Sequence, residues 1–172
     1  MKRRAKPRKL STRPGKKPRR SAKISHAAPA GMPHLGLESA VQRVLPREWT
    51  IAAFDPRLPA VLSTPAMIGM MEIAAAQAVQ PELPAGAITV GTRIEVDHLK
   101  AVTEGATVRA AARLVGYQGR FLVFEVEARS GDLLLGSGKV HRAIIEPHTF
   151  NARATARKDS WNPSVERRHR PC

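Results

Sequence analysis

A chain of 172 residues is long enough for one domain with a real apolar core. Its net charge of +15 is unevenly spread: residues 1–23 hold twelve Lys/Arg and no acid, and residues 151–172 hold six Lys/Arg against Asp159 and Glu166. Residues 24–150 carry eleven basic and twelve acidic side chains, so the basic character belongs to the ends and says nothing of the chemistry between them. The single cysteine, Cys172, excludes an internal disulfide and a metal site of paired thiols. That fits a reducing cytoplasm, and the N-terminus has no apolar segment of the secretory kind.

Residues 1–31 are dense in Lys and Arg and broken by Pro7, Pro14, Pro18 and Pro29, so they are expected to be a disordered basic tail. Such a tail can make non-specific nucleic-acid contact, through residues 1–23, by releasing counterions. The domain is expected over 32–150. Glu38 to Leu45 alternates as a first strand, and Glu48 to Ala53 reads as a second short one. Phe54-Asp-Pro-Arg-Leu-Pro59 is a Pro-rich loop. The stretch from Ser63 to Gln80 then reads as one buried helix. Thr64 is expected as its N-cap, Pro65 suits its first turn, and Pro81 stops it. Its apolar residues go all the way round, so protein should wrap it on most sides. Glu72 interrupts the run, and prolines flank it, so it reads as core and not as a membrane span.

After the helix the period changes to two. Ile88 to His98 places Ile88, Val90, Thr92, Ile94, Val96 and His98 on one face, which is taken as buried. Gly91 marks either a bulge or a close backbone approach. Thr107 to Tyr117 turns Val108, Ala110, Ala112 and Leu114 inward, and Arg109 and Arg113 outward. Arg120 to Arg129 carries Leu122, Phe124, Val126 and Ala128 on one face, and Leu133 to Ile145 is the last strand. Tight turns at Gly119 and Gly131 join these strands. The order is short strands, one long helix, then four strands in a meander. An antiparallel sheet curled about the helix buries it best, which is an α+β fold. A second copy would cover what the sheet leaves open, so a homodimer is expected. Residues 151–172 are polar and basic and are expected to be mostly without structure.

The polar residues on apolar faces are Thr64, Glu72 and His98. A lone Glu in such a helix is either hydrogen-bonded structure or a tuned acid/base. Thr64 and Glu72 lie about 12 Å apart along a helix axis, too far to touch. His98 can reach either one, within a subunit or across a dimer. Carboxylate, imidazole and hydroxyl together suit acyl transfer, although Thr64 alone is often only a cap and His98 alone often only structural. No metal site and no cofactor are expected.

Four blocks appear in order: Leu62-Ser-Thr-Pro-Ala-Met-Ile-Gly-Met-Met-Glu-Ile-Ala, Thr89-Val-Gly-Thr-Arg-Ile-Glu-Val-Asp-His-Leu-Lys-Ala-Val-Thr-Glu-Gly, Gly119-Arg-Phe-Leu-Val-Phe-Glu-Val-Glu-Ala and Gly138-Lys-Val-His-Arg-Ala-Ile-Ile. Together, over about Glu38 to Arg153, they resemble the hot-dog-fold thioesterases related to fluoroacetyl-CoA thioesterase. The resemblance implies a hot-dog sheet of five to six strands around one helix, and a dimer. It implies a catalytic Thr, Glu and His, which fall on Thr64, Glu72 and His98. It places a substrate-facing backbone N–H on Gly91, and the arginine of the last block falls on Arg142, which is assigned to structure or to substrate binding through CoA contact. The family member screens its acyl group with aromatic residues near the helix entrance, whereas Phe54 to Pro59 here holds one. An acyl-CoA thioesterase acting on some acyl group other than fluoroacetyl is therefore expected. The alternatives are an acyl-CoA-binding module without turnover, or a nucleic-acid-associated protein working through its basic tails. No membrane insertion is expected.

Overall fold

The computed structural model describes residues 23–159. Five strands form one antiparallel sheet: β1 (Glu38–Val44), β2 (Ile88–His98), β3 (Thr107–Gln118), β4 (Phe121–Ser130) and β5 (Leu133–Ile145), in the order β1-β3-β4-β5-β2. The helix α1 (Thr64–Val79) packs on one face of it. This is the α+β architecture expected, with five strands.

The apolar periodicity accounts for the core. Val108, Ala110, Ala112 and Leu114 of β3 and Leu122, Phe124, Val126 and Ala128 of β4 are all buried. They meet Met67, Met70, Met71, Ala74, Ala75 and Ala78 of α1. Small Ala side chains on both surfaces let the helix lie close to the sheet. Gly119 and Gly131 open the two-residue turns before β4 and β5, with φ of 63° and 55°. Glycine takes that left-handed conformation without Cβ strain.

The helix is not wrapped all round. Pro65, Ile73 and Gln77 form an open stripe, and Ile73 is 49% exposed. Its cap is Ser63, whose side chain accepts from the Ala66 N–H, so Thr64 is the first helical residue and not the cap.

Three further expectations are corrected. The expected strand over Glu48 to Ala53 is instead two short 3-10 turns, Arg47–Trp49 and Ile51–Ala53. Extended Thr50 separates them, and alternation over six residues is too short to tell such turns from a strand. The four strands after the helix do not run as a simple meander. β3, β4 and β5 do, but β2 pairs with β5 at the far edge. Third, part of the expected tail is paired: Ser25 and Tyr117 exchange backbone hydrogen bonds of 2.7 and 2.8 Å. Gly116 permits the approach, because a Cβ there would lie 2.5 Å from Ile24 Cγ2.

At the other end, α2 (Pro147–Asp159) occupies the beginning of the segment expected to lack structure. Glu146 starts it, its carboxylate accepting from the His148 and Thr149 N–H groups at 2.9 and 2.7 Å. A hydrogen bond from the Thr149 side chain, and after it these two backbone bonds, hold its pKa down to about 2. Residues 1–22 and 160–172, which include most of the expected nucleic-acid contact, lie outside the described residues. Among the described residues, no helix is long and apolar enough to cross a membrane.

Candidate active site

The candidate residues gather at two places along α1. Freed from capping, Thr64 at the exposed start of the helix turns to β2, and its Oγ1 lies 2.9 Å from His98 Nδ1. The opposite ring nitrogen, Nε2, is 3.1 Å from the Lys100 carbonyl. A carbonyl can only accept, so Nε2 carries a proton. In the neutral ring Nδ1 therefore accepts from the Thr64 hydroxyl. In the protonated ring Nδ1 donates to Thr64, whose own hydroxyl proton is then free to point elsewhere.

Two turns further along, Glu72 meets the sheet. Its Oε2 accepts from Arg142 Nη1 at 2.6 Å. Arg142 is 6% exposed and its other nitrogens are also engaged: Nε donates to Thr89 Oγ1 at 2.9 Å and Nη2 to the Thr89 carbonyl at 2.8 Å. Glu72 Oε1 is buried and accepts no hydrogen bond among the described residues. Gly91 lies directly against this carboxylate, since a Cβ on it would be 2.3 Å from Glu72 Oε2 and 2.9 Å from Oε1. Among the described residues no group of side chains could hold a metal ion.

A bulge in β2 brings both clusters to the helix side. Gly91 pairs with Arg142 and Arg93 with His141, so Thr92 is an extra residue. Its hydroxyl donates to the His141 carbonyl at 3.0 Å. Before the bulge the odd positions, Thr89 and Gly91, face α1 with Arg142. After it the even positions do, and Ile94, Val96 and His98 lie opposite Val140, Gly138 and Gly136. The expected single face of even positions thus holds only from Ile94 onward; Ile88 and Val90 face the other way. Both readings of Gly91, bulge and close approach, apply at once.

The geometry therefore joins Thr64 to His98 and joins Glu72 to Gly91 and Arg142, but it does not join the two clusters. Eight helical residues separate Thr64 from Glu72, about 12 Å of rise. Arg142, expected to serve structure or CoA contact, donates within the chain to Glu72 and Thr89. Thr89 was not singled out in the sequence; it reads there as one more strand residue, and only the pairing with β5 reveals it.

Alongside α1 lies a groove of about 250 Å³ lined by Trp49, Phe54, Ala66, Gly69, Met70 and Ile73 among others. Phe54 stands 72% exposed at its edge.

The model of the fluoroacetyl-CoA-specific thioesterase family matches residues 46–148. A fluoroacetyl-CoA thioesterase from Streptantibioticus cattleyicolor is 40% identical over 95 residues, which is 55% of this chain and 68% of that protein. A solved structure of a fluoroacetyl-CoA thioesterase superposes with a TM-score of 0.66 at 33% identity, covering 72% of this chain and 96% of that one. A thioesterase superfamily member from Thermus thermophilus gives 0.67 at 27% identity, covering 74% and 94%. A hot-dog-like protein from Thermanaerovibrio acidaminovorans gives 0.66 at 21%, covering 74% and 93%, which bears on the fold alone.

Proposed function

The chain belongs to the fluoroacetyl-CoA-specific thioesterase family and is a hot-dog thioesterase, and from that premise we propose that it hydrolyses an acyl-CoA at a site made of Thr64, Glu72 and His98. The observation that carries this reading is the state of Glu72. One oxygen is held by Arg142, and the other is buried, accepts no hydrogen bond and sits against a glycine whose missing side chain is what lets the carboxylate lie there.

In the proposed reaction Glu72 Oε1 takes a proton from water as the water oxygen attacks the thioester carbonyl carbon. The Gly91 N–H takes the developing oxyanion, with the Thr64 hydroxyl beside it. The C–S bond then breaks, and the CoA sulfur takes the Thr64 hydroxyl proton. Thr64 regains a proton from Nδ1 of the protonated His98. Returning the proton on Glu72 to His98 completes the cycle, with acid and CoA thiol as products.

One carbonyl must lie within roughly 3.5 Å of both clusters. In one chain they are about 12 Å apart along α1. The proposal is therefore a homodimer in which the Thr64–His98 pair of one protomer faces Glu72 of the other. Three features support it: the open stripe of α1 with Ile73, the half-exposed Ile94, and the outer edge of β2, which pairs with no strand among the described residues. The groove beside α1 suits an apolar acyl group larger than fluoroacetyl.

The test is thiol release from short, branched, aromatic and long acyl-CoAs, fluoroacetyl-CoA included. Turnover should favour apolar acyl groups of several carbons. Tight binding of these thioesters with no turnover would point instead to an acyl-CoA-binding module.

A further inference from the structure

We infer that Thr89 is a positioning residue for the reaction, acting on Glu72 through Arg142. The inference rests on the proposed role of Glu72 and concerns what holds that carboxylate in place.

A glutamate side chain on a helix has three rotatable bonds, and a base must keep one oxygen aimed at a fixed point. Here Oε2 is anchored by Arg142 Nη1, which leaves Oε1 as the free acceptor. Arg142 is itself a long side chain and needs its own anchor to serve as one. Thr89 supplies it twice, since its hydroxyl accepts from Nε and its carbonyl accepts from Nη2. All three guanidinium nitrogens are thus committed, one to the base and two to a single residue. The planar, rigid guanidinium converts those bonds into a fixed orientation.

Burial makes the arrangement stiff. Thr89 is 7% exposed and Arg142 6%. A donor left unpaired at such a place is costly, so the guanidinium has few other poses. The β2 bulge is what puts Thr89 there. Without the extra Thr92, the face that carries Ile94, Val96 and His98 to the helix would turn Thr89 away from it. One irregularity in β2 thus serves both ends of the site. The backbone carbonyl of Thr89 is available whatever the side chain, so the part specific to threonine is the hydroxyl contact with Nε. Valine has nearly the shape of threonine and equal comfort in a strand, and it removes only that acceptor.

The experiment compares wild type, Thr89→Val and Thr89→Ser for kcat and KM on the best acyl-CoA of the panel, and follows the Arg142 Nε–H by NMR exchange. In Thr89→Val, kcat should fall roughly 10- to 100-fold, the scale of a misplaced catalytic group, with KM changed less than about threefold. Thr89→Ser should regain most of the loss. The Nε–H should exchange slowly in wild type and Thr89→Ser, and quickly in Thr89→Val. A Thr89→Val enzyme with unchanged kcat overturns the inference. So does a loss of kcat that serine fails to restore, because that would be a packing effect. Wild type without turnover would defeat the proposed reaction instead; the exchange measurement would still show whether Thr89 fixes Arg142.

Discussion

The two polar clusters along α1 are built in opposite ways. At the helix start, Thr64 and His98 share one side-chain hydrogen bond, and Thr64 is exposed. Two turns on, Glu72 is held by a guanidinium that is buried and has every nitrogen occupied. Under the proposed reaction, the difference matches what each cluster would do. A proton relay needs groups that can reverse their hydrogen bonds, and the Thr64–His98 pair can do so while Nε2 stays on the Lys100 carbonyl. A base in an apolar helix needs one fixed pose and a countercharge.

The largest effect that would break this contrast comes from mixing inactive variants. Glu72→Gln and His98→Ala should each be inactive alone, and full equimolar subunit exchange between them should restore about a quarter of wild-type turnover, because half of the dimers are mixed and each has one complete site. In such a mixed dimer one site keeps both groups if they come from different protomers. No recovery, with exchange confirmed by native mass spectrometry, would place both groups in one chain.

Gly91→Ala sharpens the Glu72 side alone. Its new methyl would overlap the carboxylate, which must then move. We expect kcat to drop roughly 10- to 100-fold while the fold persists. Arg142→Met should cost about 2–3 kcal/mol in urea unfolding, discounted because Glu72 keeps a fifth of its side chain exposed. Adding Glu72→Met should recover most of that, since the stranded charge is then gone; a double variant no more stable than the single one would deny the ion pair. His98→Ala, at the looser cluster, should shift stability by less than about 0.5 kcal/mol.

A smaller effect separates the helix side of the sheet from its outer side. His141 neighbours Arg142 in sequence but faces away from α1. Burial pushes its pKa below the ordinary 6.5; Glu95 opposes this, while Arg93 and Lys139 add to the lowering. The unfolded chain therefore binds this proton first as pH falls. Stability should be flat above pH 6.5 with respect to this group and should decline below it, toward the folded pKa. His141→Leu should flatten that decline in a series of thermal midpoints and leave the pH dependence of turnover unmoved.

The sequence showed the helix, its stop and the bounds of the five strands to within a residue, though not the 3-10 turns over Glu48 to Ala53, because apolar period and proline positions are local signals. It placed the cap one residue late, since Ser63 and Thr64 are equally good candidates before Pro65 and only the backbone decides. Pairing partners are not local. Alternation showed that β2 is a strand but not that it joins β5, and an extra residue at Thr92 is invisible until two strands are aligned. Gly91 carried a partial signal as a glycine inside a strand. Thr64, Glu72 and His98 stood out as polar residues on apolar faces. Arg142 drew attention only through the family resemblance, and Thr89 drew none, because threonine in a strand is ordinary until its acceptor is seen under a buried guanidinium.

The most direct test of the account is thiol release from the acyl-CoA panel by wild type beside Glu72→Gln. The account predicts turnover by wild type and a loss of at least about a hundredfold in the variant, which keeps the shape of Glu72 but cannot take the proton from water. A Glu72→Gln enzyme as active as wild type would contradict it.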